Sequence, residues 1–437
     1  MSAGPGSGPL ADSSATALAR WLERLERAHP SAIDLGLERV SVVGQRLGLL
    51  TPSARVITIA GTNGKGSVAW TLEALLQAVG LRTALYTSPH LHRFNERLRL
   101  DGAEVADAPL VEAIARVERA RAKAGVTLTY FEHTTLAAFD CFQRYGADVW
   151  ILEVGLGGRL DAVNTVAPDV AVVTRIALDH AEFLGDDLAG VAREKAGIFR
   201  PGRPAVIGPL EAPAALRESA VGVGAVVFQA GVDFTIGGQA DGTWWWQGGG
   251  LGWSGLPAPR IPGAAARENT ATALAAFAQL PEAQRVDGPC VASALATVCV
   301  PGRLERLVDG SVEWLFDVAH NADGAMELAA VLRGTSARGR CLAVFALAAR
   351  KDVGGVVAAV QPQVDAWYLP ELEETDMYSA EEVAATVRTH EGHVVAVGED
   401  LAATLAALRQ EARAGDRVVV FGSFRTVAAV KAQQGWG

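Results

Sequence analysis

The stretch "VITIAGTNGKGSVAW", Val56–Trp70, decides the fold. It reads as an apolar strand, a loop of three glycines and one lysine, and the start of a helix. Glycines let backbone N–H groups come close to phosphate oxygens, and the helix start adds the positive end of its dipole. The loop departs from the common G-x-x-x-x-G-K-[ST] form. Ile59 stands in the place of the first glycine, and Gly66 separates Lys65 from Ser67. A phosphate-holding turn of an unusual kind is therefore expected between this strand and its helix.

Outward from the loop the same grammar continues. "RTALYT", "DVWILEV" and "DVAVVTRI" are apolar strands separated by amphipathic helices, which predicts a parallel sheet covered on both faces. From about Pro204 to Gly263 the texture changes. "QADGTWWWQGGGLGWSGLPAPRIPG" has no helical period and reads as a small antiparallel β appendage, its four tryptophans forming a local hydrophobic plug. After "VPGRLERL" the alternation restarts with "VEWLFDV", "RCLAVFAL", "DAWYLPEL", "HVVAVG" and "DRVVVFGSF". The expected fold is α/β in two domains. An N-terminal P-loop ATPase-like parallel sheet carries the appendage, and a Rossmann-like α/β domain follows. Residues 1–18 are expected to be a disordered tail, 19–300 the ATP-binding domain and 301–437 the C-terminal domain.

Composition narrows the class. The chain has 437 residues, half of them apolar, enough for two or three domains with sizeable cores. A net charge of −10 argues against a nucleic-acid partner. Cys141, Cys290, Cys299 and Cys341 form no C-x-x-C pair, so a reducing cytoplasm is expected rather than a disulfide scaffold or a zinc site. The first sixteen residues lack the basic start and apolar centre of a signal peptide, and no apolar run is long enough to span a membrane.

In open parallel sheets, ligands sit beyond the carboxyl ends of the strands. Gly61-Thr62-Asn63-Gly64-Lys65-Gly66-Ser67 follows the first strand and Ser88-Pro89-His90 the second. Glu153 stands at the tip of the third, and Asp179 and His180 follow the fourth. A lysine, hydroxyls, a carboxylate and an imidazole should thus converge on one rim. Lys65 offers a point charge to outer phosphates. A hydroxyl and one carboxylate, Ser88 and Glu153, would suffice for a magnesium ion that keeps waters. Lys195 by residue type alone reads as a surface lysine paired with Glu194 or nearby acids.

Taken together, "GTNGKGS", "TSPHLHRFNERLRL", "LEVGLGGRLDAVN", "IALDHAEFLG", "REKAGIFRPG", "PGRLE" and "FDVAHN" resemble the folylpolyglutamate synthase and dihydrofolate synthase family of the Mur ligase superfamily. The likeness runs from about Ala19 to Val430 and is poor between Pro209 and Pro262. It implies an ATP-dependent ligase that joins an acid to the amino group of L-glutamate through an acyl phosphate. It implies that Thr62, Asn63, Gly64, Lys65, Gly66 and Ser67 hold the ATP phosphates, that Ser88, Glu153 and His180 hold magnesium (two ions), and that Asn269, Arg303, Asp317 and His320 contact ATP. Lys65, Glu153, His180 and Lys195 would be the catalytic set, with Lys195 carbamylated by CO2 to N6-carboxylysine. Three segments resemble those lining a dihydropteroate pocket: Leu35, Gly36, Leu37 and Glu38; Thr129, Tyr130, Phe131 and Glu132; and Leu160, Asp161 and Ala162. Phe131 would stack on the pterin and Asp161 would accept hydrogen bonds from its amino-pyrimidine edge. The partners implied are dihydropteroate, reduced folates and L-glutamate, handled by a cytoplasmic monomer.

Two blocks depart from the family pattern. "FALAARKDV" lacks the Gly and the first Asp of "G-M-x-x-D-K-D" and keeps only Lys351 and Asp352. "LEETDMYSAEEV" lacks an Arg before the corresponding helix. Both bear on how the amino acid or the growing tail is held. A nucleotide-switch protein would carry an N-K-x-D run, which is absent. Another Mur-type amino-acid ligase would share the loop and Lys195 without the pterin-lining segments. A folylpolyglutamate synthase lacking the dihydrofolate synthase activity is the remaining alternative.

Overall fold

The computed structural model describes residues 14–436, apart from 30, 32, 336, 375 and 399. Most of the expected tail lies outside the described residues. The first helix, Ser14–Glu26, nevertheless begins inside the 1–18 span, because an amphipathic pattern already starts there and buries Leu18 and Leu25.

The chain forms two α/β units. The first sheet has eight strands in the order Ala103–Glu104, Leu98–Leu100, Thr83–Tyr86, Val149–Glu153, Arg55–Ala60, Val170–Val173, Pro204–Ile207 and Val226–Gln229. The six from Thr83–Tyr86 onward are parallel, and a short antiparallel hairpin closes the other edge. Strand order reverses beside Arg55–Ala60, which pairs with Val149–Glu153 on one side and Val170–Val173 on the other. The loop that leaves its carboxyl end therefore opens into the crevice such a reversal creates. Central strands are fully buried, as their unbroken apolar runs require.

Residues 204–229 correct the reading of the changed-texture region. They supply two more parallel strands with a helix, Ala214–Gly222, between them. The antiparallel appendage is confined to Phe234–Gly238, Trp244–Gly248 and Leu251–Leu256. Its tryptophans do form a plug. Phe228, Phe234, Trp246 and Trp253 stack in a column with ring centroids 5.1–5.9 Å apart. The buried indoles of Trp244, Trp246 and Trp253 donate to the carbonyls of Pro257, Ala271 and Val286, so no N–H is stranded. Trp245 is partly exposed.

The second sheet has six strands in the order Glu305–Asp309, Val312–Phe316, Arg417–Phe421, Cys341–Phe345, Ala366–Pro370 and Val394–Gly398. Only the Glu305–Asp309 edge strand runs antiparallel. No helix among the described residues is long and apolar enough to cross a membrane.

Candidate active site

The loop after Arg55–Ala60 works only with glycine at two points. Gly61 adopts φ +151°, and a Cβ there would lie 1.8 Å from Thr174 Oγ1. Gly64 adopts φ +90° at the N-cap of the helix Lys65–Ala78, where a Cβ would lie 2.3 Å from Asn269 Oδ1. Left-handed backbone at a helix start turns successive N–H groups toward one concavity, the geometry an anion needs. Gly64→Ala is expected to weaken ADP binding by about tenfold or more, because the strain of roughly 1–3 kcal/mol falls on the loop itself. Titration calorimetry measures it, and an unchanged affinity would remove the loop from the nucleotide site.

A cavity of about 500 Å³ opens beside the loop. Both units line it. Lys65, Gly66, Ser88, Glu153, His180 and Lys195 come from the first, and Arg303, His320, Arg350 and Phe424 from the second. Lys65 is half-buried and donates to the carbonyls of Gly61 and Thr62, both at 3.1 Å. Burial pushes its ammonium down and pushes the buried Glu153 carboxyl up. Each is the strongest opposing charge acting on the other. Glu153 Oε2 accepts from the backbone N–H of Ser88 at 3.2 Å and faces Gly66. Lys195 is buried in the last turn of the helix Leu188–Ala196, contrary to a surface reading. Burial, with repulsion from Lys65, lowers its ammonium to about 7.

Of the pterin-side segments, Leu35, Gly36, Thr129, Phe131, Glu132, Leu160, Asp161 and Ala162 line the same cavity. Leu37, Glu38 and Tyr130 do not. Glu38 opens the helix Glu38–Leu47, and Tyr130 packs edge-on against Phe94 with centroids 6.2 Å apart. Thr129 and Glu132 form a reciprocal capping box that fixes the helix Tyr130–Tyr145 and so the ring of Phe131. That ring lies against Gly155, whose Cβ would sit 2.5 Å from Phe131 Cζ. Asp161 accepts from the N–H groups of Leu156 (2.9 Å) and Val163 (3.0 Å), and burial raises its carboxyl to about 6.

The nucleotide-side set is split. Asn63, Gly64 and Asn269 line a smaller recess on the far side of the loop, and Ser67 opens on a third. Asp317 is buried behind the cavity wall, accepting from the N–H groups of Leu304 (3.0 Å) and Ala319 (2.8 Å). Arg303 lies over the ring of Phe424, 5.7 Å from its centroid.

The sequence reading missed a polar seam between the units. Asp179 accepts from Lys351 Nζ, His320 Nε2 (3.2 Å) and Asn321 Nδ2 (3.2 Å). Burial opposes its ionisation, but the His320 bond and the charges of His320, Lys351 and His180 outweigh it and hold the carboxyl well below the ordinary range. Asn63, in the glycine loop, donates to Asn321 Oδ1 (3.1 Å) and Asp323 Oδ2 (2.7 Å), and Arg175 donates to Asp323 Oδ1 (2.8 Å). Asp179 was visible at a strand tip. Its partners were not, because they come from the other sheet.

The residues fit a magnesium nucleotide at the loop: a backbone cradle, a half-buried ammonium and one buried carboxylate. Among the described residues no three His, Cys, Asp or Glu side chains gather into a metal site. Magnesium held largely by phosphate oxygens and water needs no such cluster. His180 fits less well as placed. Its Nε2 lies 3.2 Å from Lys351 Nζ, and its Nδ1 is buried without a partner. An ammonium only donates, so Nε2 accepts and the ring proton sits on Nδ1, which leaves no lone pair for a cation.

Known proteins resemble this chain over nearly its whole length. Residues 59–220 match the Mur ligase middle domain, and residues 302–424 match the Mur ligase glutamate ligase domain. The chain is 41% identical over 416 residues to the dihydrofolate synthase/folylpolyglutamate synthase of Escherichia coli (strain K12), covering 95% of each protein. The chain belongs to the dihydrofolate synthase/folylpolyglutamate synthase family. A solved E. coli FolC structure in complex with DHPP and ADP is 40% identical, covers 97% of this chain and 99% of that one, and superposes with a TM-score of 0.89. A bifunctional folylpolyglutamate synthase/dihydrofolate synthase with Mn, AMPPNP and L-glutamate bound is 39% identical, with the same coverage and a TM-score of 0.87. The two-unit fold of this chain is thus the family's fold.

Proposed function

We propose that the chain adds L-glutamate to dihydropteroate, giving dihydrofolate, and to the glutamate tail of reduced folates. It is an ATP-dependent, amide-forming ligase. An acceptor carboxylate oxygen attacks the γ-phosphorus of ATP and ADP leaves. The amine of glutamate then attacks the acyl phosphate, loses a proton and expels phosphate. The observation that carries the reading is a single cavity shared by the glycine loop, Lys65, Glu153 and Lys195, and the Phe131–Asp161 wall.

Each residue then has a task. The loop residues 62–67, with the ammonium of Lys65, hold the phosphates and offset charge that grows on them. Ser88 and Glu153 hold the divalent ion, and His180 joins around a second ion once Lys351 releases its Nε2. Bound there, magnesium would offset negative charge on the phosphates and make the phosphorus a better electrophile. Asn269, Arg303, Asp317 and His320 position the nucleotide from both units, and closure between them excludes water. Phe131 stacks on the pterin and Asp161 reads its amino edge with the lone pairs its backbone bonds leave free. A share of Lys195 is neutral near pH 7, so its nitrogen attacks CO2, forms an N–C bond and releases a proton. The resulting carbamate is an anion that the Lys65 ammonium can offset. The protein works as a cytoplasmic monomer, with its ATP-binding domain ending near residue 300 and the C-terminal domain starting at 301.

The test is phosphate release with ATP, magnesium and L-glutamate, adding dihydropteroate or tetrahydrofolate in turn. Release with both acceptors is expected. Release with tetrahydrofolate alone would overturn the dihydropteroate reading of the Phe131–Asp161 wall, and silence with both would overturn the acceptor class.

A further inference from the structure

On the second unit's wall of the cavity stand two guanidinium groups, Arg303 and Arg350. Arg303 is occupied by the reading above. Arg350 has no task in it. It sits in the turn after the strand Cys341–Phe345, held by backbone bonds from Ala349 to Asp376 and from Lys351 to Ala348. Its side chain is half exposed, and among the described residues its acid partner is Asp376 at 3.6 Å. That distance is too long for a directed bond, and Asp376 is already taken by a tight contact with Arg425. His180 and Asp179 of the first unit line the cavity with Arg350, and Lys351 follows it in the same turn; Arg350 lowers the basicity of both His180 and Lys351. Asp179 is saturated by four donors, the backbone N–H of His180 among them. A guanidinium so placed keeps its planar fork of donors free at the mouth of the site. In this chain it also stands where the family block carries an acid.

Resting on the proposed ligase reading, we infer that Arg350 recognises the α-carboxylate of a glutamyl unit, either of the incoming L-glutamate or of the folate tail being extended. Both sources present the same planar carboxylate, which a guanidinium binds through two parallel N–H donors. Dihydropteroate carries no glutamyl unit, so it separates the two.

The experiment compares wild type with Arg350→Gln and Arg350→Lys. KM for L-glutamate, dihydropteroate and tetrahydrofolate is measured separately from kcat. Loss of a charge-assisted contact is expected to raise the affected KM by about tenfold or more in the Gln variant, with a smaller fall in kcat and partial recovery in the Lys variant. A higher KM for L-glutamate with either acceptor assigns the contact to the incoming amino acid. A higher KM for tetrahydrofolate alone assigns it to the tail. Changes under about twofold in both, or an equal rise for dihydropteroate, would overturn the proposal. Wild-type silence with both acceptors would instead sink the ligase reading. Direct titration of the same proteins with L-glutamate and tetrahydrofolate would still decide the role of Arg350.

Discussion

Replacing Glu153 by glutamine is expected to lower turnover by about 10²–10³-fold or more while leaving the ligand-free protein at least as stable as wild type. The two halves of that outcome have one cause. Glu153 sits at the carboxyl end of a fully buried strand with its carboxyl raised by burial, so folding encloses a charge that Lys65 only partly balances. Between its ordinary value of 4.5 and the raised native value, the folded protein binds more protons than the unfolded chain. Stability therefore falls as pH climbs through that window. Glutamine keeps the shape and can still accept from the Ser88 N–H, but it has no charge to enclose and none to offer a cation. Thermal melts at pH 5 and 8, run beside steady-state rates, check both halves. A variant that turns over normally would remove Glu153 from the metal site, and one that melts well below wild type would make its role structural.

Lys195→Ala should lose activity by a comparable factor and regain part of it with acetate or formate, which place an anion where the carbamate would stand. Carbon-13 NMR of wild type under labelled CO2 should show a carbamate resonance that the variant lacks. The sign of the pH effect differs from that of Glu153. Without CO2 the folded Lys195 releases its proton near 7, whereas the unfolded chain holds it to about 10.5. The unfolded state binds more protons across that interval, so stability should rise with pH from about 7 to about 10.5. Lys195→Met should remove that rise and melt higher than wild type at pH 7. Full activity of Lys195→Ala without added carboxylate would refute the carbamate.

What the sequence disclosed follows from how local each signal is. The glycine loop, Ser88 and Glu153 each sit within a residue or two of a strand end, and period-2 and period-3.6 patterns locate strand ends well. Phe131 and Asp161 were readable by family likeness. The capping box from Thr129 to Glu132 fixes the helix start that turns Phe131 to the cavity and Tyr130 onto Phe94. The strands at 204–207 and 226–229 were missed because one is short and begins with proline, and the other is a half-exposed edge whose pattern resembles a loop. Lys195 was misjudged on residue type alone, since its burial is set by Gly158, whose bare backbone lets the helix come within a Cβ's reach of Lys195. The seam through Asp179, Asn321, Asp323 and Lys351 was beyond local reading. It exists only where two sheets meet, and no periodicity encodes that.

The tryptophans have a spectroscopic consequence. Of the ten in the chain, Trp70 alone borders the cavity. Its ring lies under the Arg99 guanidinium, 4.0 Å from the centroid. Trp150, Trp244, Trp246 and Trp367 are sealed in dry cores whose emission is insensitive to what enters the cleft. Intrinsic fluorescence of this protein therefore includes one indole set at the cavity, a built-in gauge of occupancy that needs no attached dye.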